Sequence, residues 1–224
     1  ALAELSVARV AAQAGIPYGF YADTYGVCRR KWFEDVREKA SFIFVINEEE
    51  ARMSRELYPN SKVVVSGNPR WEDFFYPRFS REEVREKLGV GNDETMVLCP
   101  GGKDVVVNSL HWGGVVAALA NLDFDPSHWK VFLSVHQGDL NDLGKYQTLT
   151  KHPRLPVRLI TKAEMESADI VAGCDLVIES ASGIGVAAAC QRKPTISYFS
   201  EIALSRMEDT DGGREWPPCE LGLS

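Results

Sequence analysis

Short apolar runs alternate along the chain with longer segments in which apolar residues recur at helical spacing. The runs predict β-strands, and the spaced segments predict α-helices. The predicted strands are 18–22, 42–46, 62–65, 96–99, 130–135, 157–160, 176–178 and 195–199. The predicted helices are 4–14, 29–40, 48–57, one that begins at residue 80, 109–122, 165–173 and 186–190. Strands that alternate with helices in this way are typical of an α/β fold with doubly wound parallel sheets.

Residues 71–79 interrupt this alternation, because aromatic residues and prolines crowd there. Ser80 and Glu83 follow with the spacing of a capping box, in which two side chains close the start of a helix. These features place a domain boundary near residue 80, with one domain over 1–79 and a second over 80–224. The chain begins inside a helical pattern and ends soon after its last predicted strand. We therefore expect a fragment that lacks elements on both sides.

Asn47 fits an N-cap for the helix 48–57. The three glutamates that follow it, Glu48 to Glu50, suit the positive end of the helix dipole. Their simplest interpretation is a solvated helix start.

The composition is that of a globular protein, with 45% hydrophobic and 25% charged residues. The net charge of −7 argues against a nucleic-acid-binding surface, which needs a basic face. No apolar run is long enough for a transmembrane segment, although a peripheral membrane contact stays open. Five scattered cysteines without a CxxC pair are read as reduced thiols of a cytoplasmic protein. The four histidines lack metal-ligand spacing, so no metal or other cofactor is predicted.

The stretch 175–199 predicts one strand–turn–helix–strand unit. Its strand ends at Glu179, and a turn of small residues follows, with Ser180, Ser182 and Gly183. Free backbone N–H groups at a helix start can hold an anion. Because the end of a strand, two hydroxyl groups and a glycine lie together in this turn, contact with a ligand is favoured over a plain helix cap.

Three further loops follow predicted strands, where ligands bind in doubly wound sheets. In the first, Gly101 and Gly102 permit close backbone approach and Lys103 carries a charge that suits phosphate, although an ordinary tight turn explains the glycine pair equally well. In the second, His136 is either a site residue or a turn residue. In the third, Lys162 is expected to be a solvated surface lysine.

Three segments together resemble the GT-B superfamily, whose members have two Rossmann-like domains. The segments are 18–30 (YGFYADTYGVCRR), 63–73 (VVVSGNPRWED) and 169–198, which combines a strand, a Ser-Gly turn, a helix and a Lys-Pro pair before a final strand. The nearest group contains UDP-N-acetylglucosamine 2-epimerases, lipid-A-disaccharide synthase-like enzymes and CDP-glycerol glycerophosphotransferases. The resemblance implies that residues 1–79 are the C-terminal part of the first domain plus a linker.

The resemblance also implies that the second domain binds a nucleotide sugar, such as a UDP sugar, or a similar activated donor. Ser182 and Gly183 would then hold the donor phosphates, with Ser180 in the same turn. Gly101, Gly102 and Lys103 would flank those phosphates, and His136 would lie near the diphosphate. A general base comes from the first domain in this family, and no residue here is assigned that role. The acceptor and the oligomeric state have no signature in the sequence.

Two positions depart from the family pattern. Ala187 stands where the family often has an acid that holds the nucleotide ribose, and Arg192 stands where it has a glycine before the Lys-Pro pair. The leading hypothesis is a glycosyltransferase that moves a glycosyl or related group. A non-hydrolysing nucleotide-sugar 2-epimerase is the second, with Glu179 and Asp104 as candidate carboxylates. The third is a degenerate, non-catalytic GT-B-like binding protein.

Overall fold

The computed structural model describes residues 2–30, 34–102, 104–123, 125–140 and 143–211. These residues form two compact units, which divide between Arg70 and Trp71. The C-terminal helix begins in the second unit, and its residues from Leu204 onward cluster with the first. Both units contain parallel strands and helices in alternation, so the predicted α/β class with parallel sheets is confirmed.

The first unit contains a three-stranded parallel sheet in the order β1-β2-β3. Its elements are α1 (Leu2–Gln13), β1 (Gly19–Tyr21), α2 (Glu34–Arg37), β2 (Phe42–Val45), α3 (Glu48–Leu57) and β3 (Lys62–Val65). Ile43 and Val45 lie in a buried cluster with Ala51 of α3, which therefore covers one face of the sheet. Asn47 caps α3 as predicted, because its side chain accepts a hydrogen bond from the Glu50 N–H at 2.9 Å.

Two predictions for the first unit are wrong. The segment 29–40 is not one helix, since a short 3-10 helix over Val27–Arg29 ends at the extended residue Arg30 before α2 begins. The buried Arg37 guanidinium donates to the carbonyls of Val27 and Arg30, which holds the chain in this bent path. Glu50 is not solvated, because it is fully buried and accepts a hydrogen bond from the Gly26 N–H at 2.9 Å.

The second unit contains a five-stranded parallel sheet in the order β6-β5-β4-β7-β8. Its strands are β4 (Thr95–Pro100), β5 (Trp129–Val135), β6 (Val157–Thr161), β7 (Leu176–Glu179) and β8 (Thr195–Ser197). Its helices are α4 (Glu72–Phe75), α5 (Arg81–Leu88), α6 (Val105–Ala120), α7 (Gln147–Thr150), α8 (Ser167–Gly173) and α9 (Gly183–Cys190), and α10 (Glu201–Asp211) follows. Separate apolar clusters cover its two faces, as expected of a doubly wound sheet.

The order of the strands reverses direction between β4 and β7 in this sheet. Such a reversal is the topological switch point, where ligands bind outside the carboxyl ends of the strands. At the opposite, amino-terminal ends of these strands, a polar group holds the first residues of β4 and β7. Asp175 accepts hydrogen bonds there from Arg81, Arg85 and the Met96 N–H, at 2.5, 3.1 and 2.8 Å.

None of the helices in the part of the chain that the structure describes is long and apolar enough to cross a bilayer.

Candidate functional site

A cleft of about 370 Å³ opens at the carboxyl ends of β4, β5, β6 and β7 in the second unit. Its size is at the lower end of the range of small-molecule sites, roughly 300–1,000 Å³. Its lining residues are Phe74, Pro100, Gly101, Ser134, Val135, His136, Gln137, Lys162, Glu166, Ser167, Ala168, Ser182, Gly183 and Ile184. The four predicted loops therefore meet around one cleft, since each contributes at least one lining residue.

The turn before α9 presents the start of a helix to this cleft. Ser182 is the N-cap, and its Oγ accepts a hydrogen bond from the Ile184 N–H at 3.3 Å. A Cβ built on Gly183 meets no atom within 4 Å, so this residue borders open space. Among the described residues we find no acceptor for the Gly183 N–H. That N–H is therefore free to bind an anion at the positive end of α9.

Glu179 lies beneath this turn and does not line the cleft. It is fully buried, and its carboxylate accepts hydrogen bonds from the Ser182 N–H at 2.6 Å and from the Ser197 hydroxyl. Ala181, between the two serines, adopts the left-handed conformation with φ of 50°, which costs a non-glycine residue free energy. The buried carboxylate stabilises the turn in this conformation, so Glu179 supports the site from below.

Ser180 is also absent from the lining of the cleft. Its hydroxyl is buried and has no hydrogen-bond partner in the described structure. Ser182 and Gly183 are thus the residues of the predicted turn that reach the cleft.

The loop after β4 approaches the cleft through Gly101. A Cβ on this residue would lie 2.6 Å from Trp112 Cζ2 and 3.1 Å from the Ser134 carbonyl oxygen, so glycine is required for the close packing. Gly102 is held by Asn108, which accepts from its N–H at 2.8 Å and donates to its carbonyl at 2.9 Å. The Gly102 N–H is therefore occupied within the protein. Lys103 lies outside the described residues.

His136 lines the cleft directly after β5. Its Nδ1 accepts a hydrogen bond from the Gly138 N–H at 3.0 Å. A neutral imidazole that accepts at Nδ1 carries its proton at Nε2. The local turn thus fixes a tautomer in which His136 has a donor at Nε2.

Lys162 is the residue with a permanent positive charge among the described residues that line the cleft. Its ammonium group lies 2.9 Å from the Glu166 carboxylate, and about half of each side chain is exposed. Such an exposed ion pair is weak, so the lysine can exchange this partner for a ligand.

Of the described residues, no group of three or more His, Cys, Asp or Glu side chains is placed to hold a metal ion.

Three residues near the site escaped the sequence prediction. Asn108, His111 and Trp112 lie on α6, and all three are buried against the ends of the central strands. Burial lowers the pKa of His111 below its ordinary value. Their spacing of i, i+3 and i+4 places them on one face of a helix, in a segment that is otherwise apolar. That spacing is the feature of the sequence that could have identified them, because polar side chains on the buried face of a helix need hydrogen-bond partners.

No protein-family model matches the chain, and no curated protein sequence matches it. Several solved structures do match the chain. HepE from Anabaena, in complex with UDP and glucose, has a TM-score of 0.56 at 18% identity, over 86% of this chain and 56% of HepE. Sucrose-phosphate synthase from Thermosynechococcus elongatus also has a TM-score of 0.56 at 18% identity, over 85% of this chain and 53% of the synthase. The chain has a GT-B fold.

A third GT-B structure supports this assignment. MurG from Acinetobacter baumannii has a TM-score of 0.51 at 16% identity, over 92% of this chain and 52% of MurG. The chain thus spans about half the length of each of these GT-B proteins. The predicted fold class is confirmed, with a first unit of three strands and a second of five.

Proposed function

We propose that the second unit binds the diphosphate of a nucleotide-activated donor, and that the chain is part of a glycosyltransferase that moves a glycosyl or related group from that donor. The observation that carries the proposal is the meeting of Gly183, Gly101 and His136 around one cleft at the switch point of the sheet. This is the place where GT-B folds and other doubly wound sheets open toward a ligand.

The chemistry of the cleft suits a diphosphate. The start of α9 supplies a partial positive charge of roughly half an elementary charge and the free Gly183 N–H. His136 lines the cleft with its proton at Nε2, and Lys162 adds a full charge nearby. When a glycosyl group leaves its donor, negative charge develops on the diphosphate. Donors that are already in place stabilise this charge without reorganisation.

The GT-B neighbours support the same donor class. HepE was solved in complex with UDP and glucose, and sucrose-phosphate synthase and MurG share its fold. At 16–18% identity this likeness concerns the fold, so the donor assignment for this chain rests on the cleft.

The epimerase alternative receives less support from the geometry. Glu179 is buried under the turn, and Asp104 caps α6 by accepting from the N–H groups of Val106 and Val107 at 2.9 and 3.1 Å. Neither carboxylate lines the cleft. The non-catalytic alternative is favoured by Ala187, which is fully buried in an apolar cluster, so that a ribose contact would have to come from another residue.

Thermal unfolding with UDP, CDP, GDP and their sugar or glycerol derivatives tests donor binding. We expect at least one compound to raise the melting temperature, because a ligand at about a hundred times its Kd stabilises a protein by about 2.7 kcal/mol. Gly183→Asp should abolish this rise, since it places a negative charge where the phosphate binds. Gly183→Asn is the matched control, which adds a side chain of nearly the same size without the charge and should retain most of the rise.

A panel without any shift would contradict donor binding, and equal shifts for the Asp and Asn variants would move the phosphate site elsewhere. With a bound donor, product analysis separates the reactions. Transfer releases the nucleotide, epimerisation leaves it attached to the sugar, and a binding protein leaves the donor unchanged.

A further inference from the structure

We propose that Asn108, His111 and Trp112, which we call the polar face of α6, form a positioning device that sets the distance between the two walls of the donor cleft. In this device His111 is the positioning residue for the phosphate-binding turn. The inference rests on the proposed function, because the cleft whose walls are held is the proposed donor site.

The two walls arise where the central strands part. β4 and β7 are paired only at Val97 with Leu176 and at Leu98 with Val177. Beyond that point β4 stays paired with β5 up to Pro100, and β7 stays paired with β8 up to Glu179. The sheet therefore splits along the line between β4 and β7, and the cleft opens above the split.

A split inside a sheet leaves main-chain groups without strand partners. The residue of β7 just beyond its last position paired with β4 is Ile178, which is buried. Its carbonyl faces β4 at Pro100, which has no N–H to donate, and a buried carbonyl without a hydrogen bond is costly. His111 Nε2 lies within hydrogen-bond distance of this carbonyl, at 3.1 Å. On the other wall Trp112 Nε1 donates to the Cys99 carbonyl at 3.1 Å, in addition to the pairing of β4 with β5.

The wall on the β4 side is bound to the same helix at two further points. The Asn108 side chain makes two hydrogen bonds to the main chain of Gly102. The Trp112 ring packs directly against Gly101, where a single added Cβ would clash. This wall ends at Gly101 in the cleft.

The wall on the β7 side is bound through His111. The Ile178 carbonyl that it contacts is followed directly by Glu179, whose carboxylate fixes the Ser182 N–H. Tyr198, next to β8, stacks on the His111 ring with the ring centres 5.8 Å apart. Because a carbonyl can only accept, His111 must donate from Nε2, which gives this contact a defined tautomer.

His111 and Trp112 are consecutive residues of one helix and touch opposite walls. A helix is rigid on this scale, so a displacement of one wall is transmitted to the other. None of the three residues of the polar face lines the cleft. Donor affinity should therefore depend on residues that do not touch the donor.

The test compares His111→Leu, which keeps the volume but removes the donor, with His111→Gln, whose amide can still donate to the Ile178 carbonyl. Affinity is measured by calorimetry with UDP, CDP or GDP, whichever binds the unaltered 224-residue chain most tightly. We expect His111→Leu to weaken binding about tenfold and His111→Gln to restore most of it, because a buried carbonyl regains its partner. Trp112→Phe, which removes the N–H to Cys99, should also weaken binding.

Amide hydrogen exchange on the same proteins gives a readout that does not need a ligand. In His111→Leu the amides of 179–184 should exchange faster, while those of β5 keep their protection. If the unaltered chain binds no nucleotide, the proposed function fails, and the exchange pattern still decides the positioning role. Unchanged exchange at 179–184 would overturn the inference, and so would equal effects of Leu and Gln. If His111→Leu does not fold, Trp112→Phe carries both measurements against the unaltered chain, and His111→Gln remains the control that keeps the contact.

Discussion

Two buried carboxylates hold loops at strand ends, one in each unit. Glu179 accepts from the Ser182 N–H after β7, and Glu50 accepts from the Gly26 N–H in the loop that follows β1. Gly26 has a left-handed conformation with φ of 73°, which glycine adopts without steric cost, whereas Ala181 needs support for its φ of 50°. A single buried side chain thus holds one main-chain N–H in each loop, because a charged or polar group inside the protein must find a fixed partner.

Glu50 makes the stability of the chain depend on pH. Burial raises the pKa of its carboxyl above the ordinary value of 4.5. In the folded chain the carboxyl then keeps its proton to a higher pH than in the unfolded chain. The free energy of unfolding therefore falls as the pH rises from 4.5 through the raised pKa. Glu50→Gln has no proton to lose, so its stability relative to the unaltered chain should increase over this window in urea denaturation.

Glu49→Gln is the matched control on the same helix. The hydrogen bond from Arg52 lowers the pKa of the exposed Glu49 carboxyl, so this variant should lose relative stability as the pH rises. Parallel stability curves for Glu50→Gln and the unaltered chain between about pH 4 and about pH 7 would contradict the raised pKa.

Helix starts show how short polar signals set the limits of an element. The predicted capping box of α5 is present, with the Ser80 and Glu83 side chains each bound to the backbone of the other residue. The start of α6 was predicted too late, at 109 instead of Val105. Three valines in its first turn have low helix propensity, but Asp104 caps that turn with two hydrogen bonds. A cap therefore outweighs the local preference of β-branched residues.

Ser80→Ala should lower the free energy of unfolding of the second unit by about 1 kcal/mol, because it leaves the Glu83 N–H without its side-chain acceptor. Ser80→Asp retains an acceptor and should leave stability nearly unchanged. Urea denaturation of the three proteins measures the difference. Equal stability of the Ala and Asp variants would show that the cap does not stabilise α5.

On the scale of the whole molecule, the aromatic segment 71–79 belongs to the second compact unit. Phe74 and Phe79 pack against the core of that unit, and Phe74 also lines the cleft. Arg78 donates from Nε to both carboxylate oxygens of the buried Asp169, at 3.0 and 3.2 Å. The segment is therefore part of the second unit and contributes to its cleft. The predicted boundary near residue 80 lies after this segment.

Arg78→Ala should lower the urea concentration at which the second unit unfolds, because it leaves the Asp169 carboxylate buried without its partner. The loss should be smaller than for a fully buried pair, since 65% of the Arg78 side chain is exposed. Limited proteolysis should also cut faster within 71–79. Arg70→Ala makes the same change one residue before the unit begins and should have little effect. Equal proteolysis rates for the two variants would contradict the role of Arg78.

The sequence by itself determined the alternation of strands and helices, the caps at Asn47 and Ser80, and the loops that face the cleft. These features depend on residues that are neighbours along the chain, so periodicity and spacing are enough to find them. Gly101, His136, Ser182 and Gly183 were found for the same reason, since each lies in a loop that follows a strand.

Only the tertiary structure decided which polar groups are buried and what they hold. Glu179 is recognised as a support because Ser197 lies above it, 18 residues later in the chain. His111 finds the Ile178 carbonyl 67 residues away, and Arg78 finds Asp169 at a separation of 91 residues. Which polar groups are buried, and which partners they bind at such separations along the chain, follows from the order of the strands and from the point where β4 and β7 separate. That arrangement is a property of the whole sheet, and no local pattern contains it.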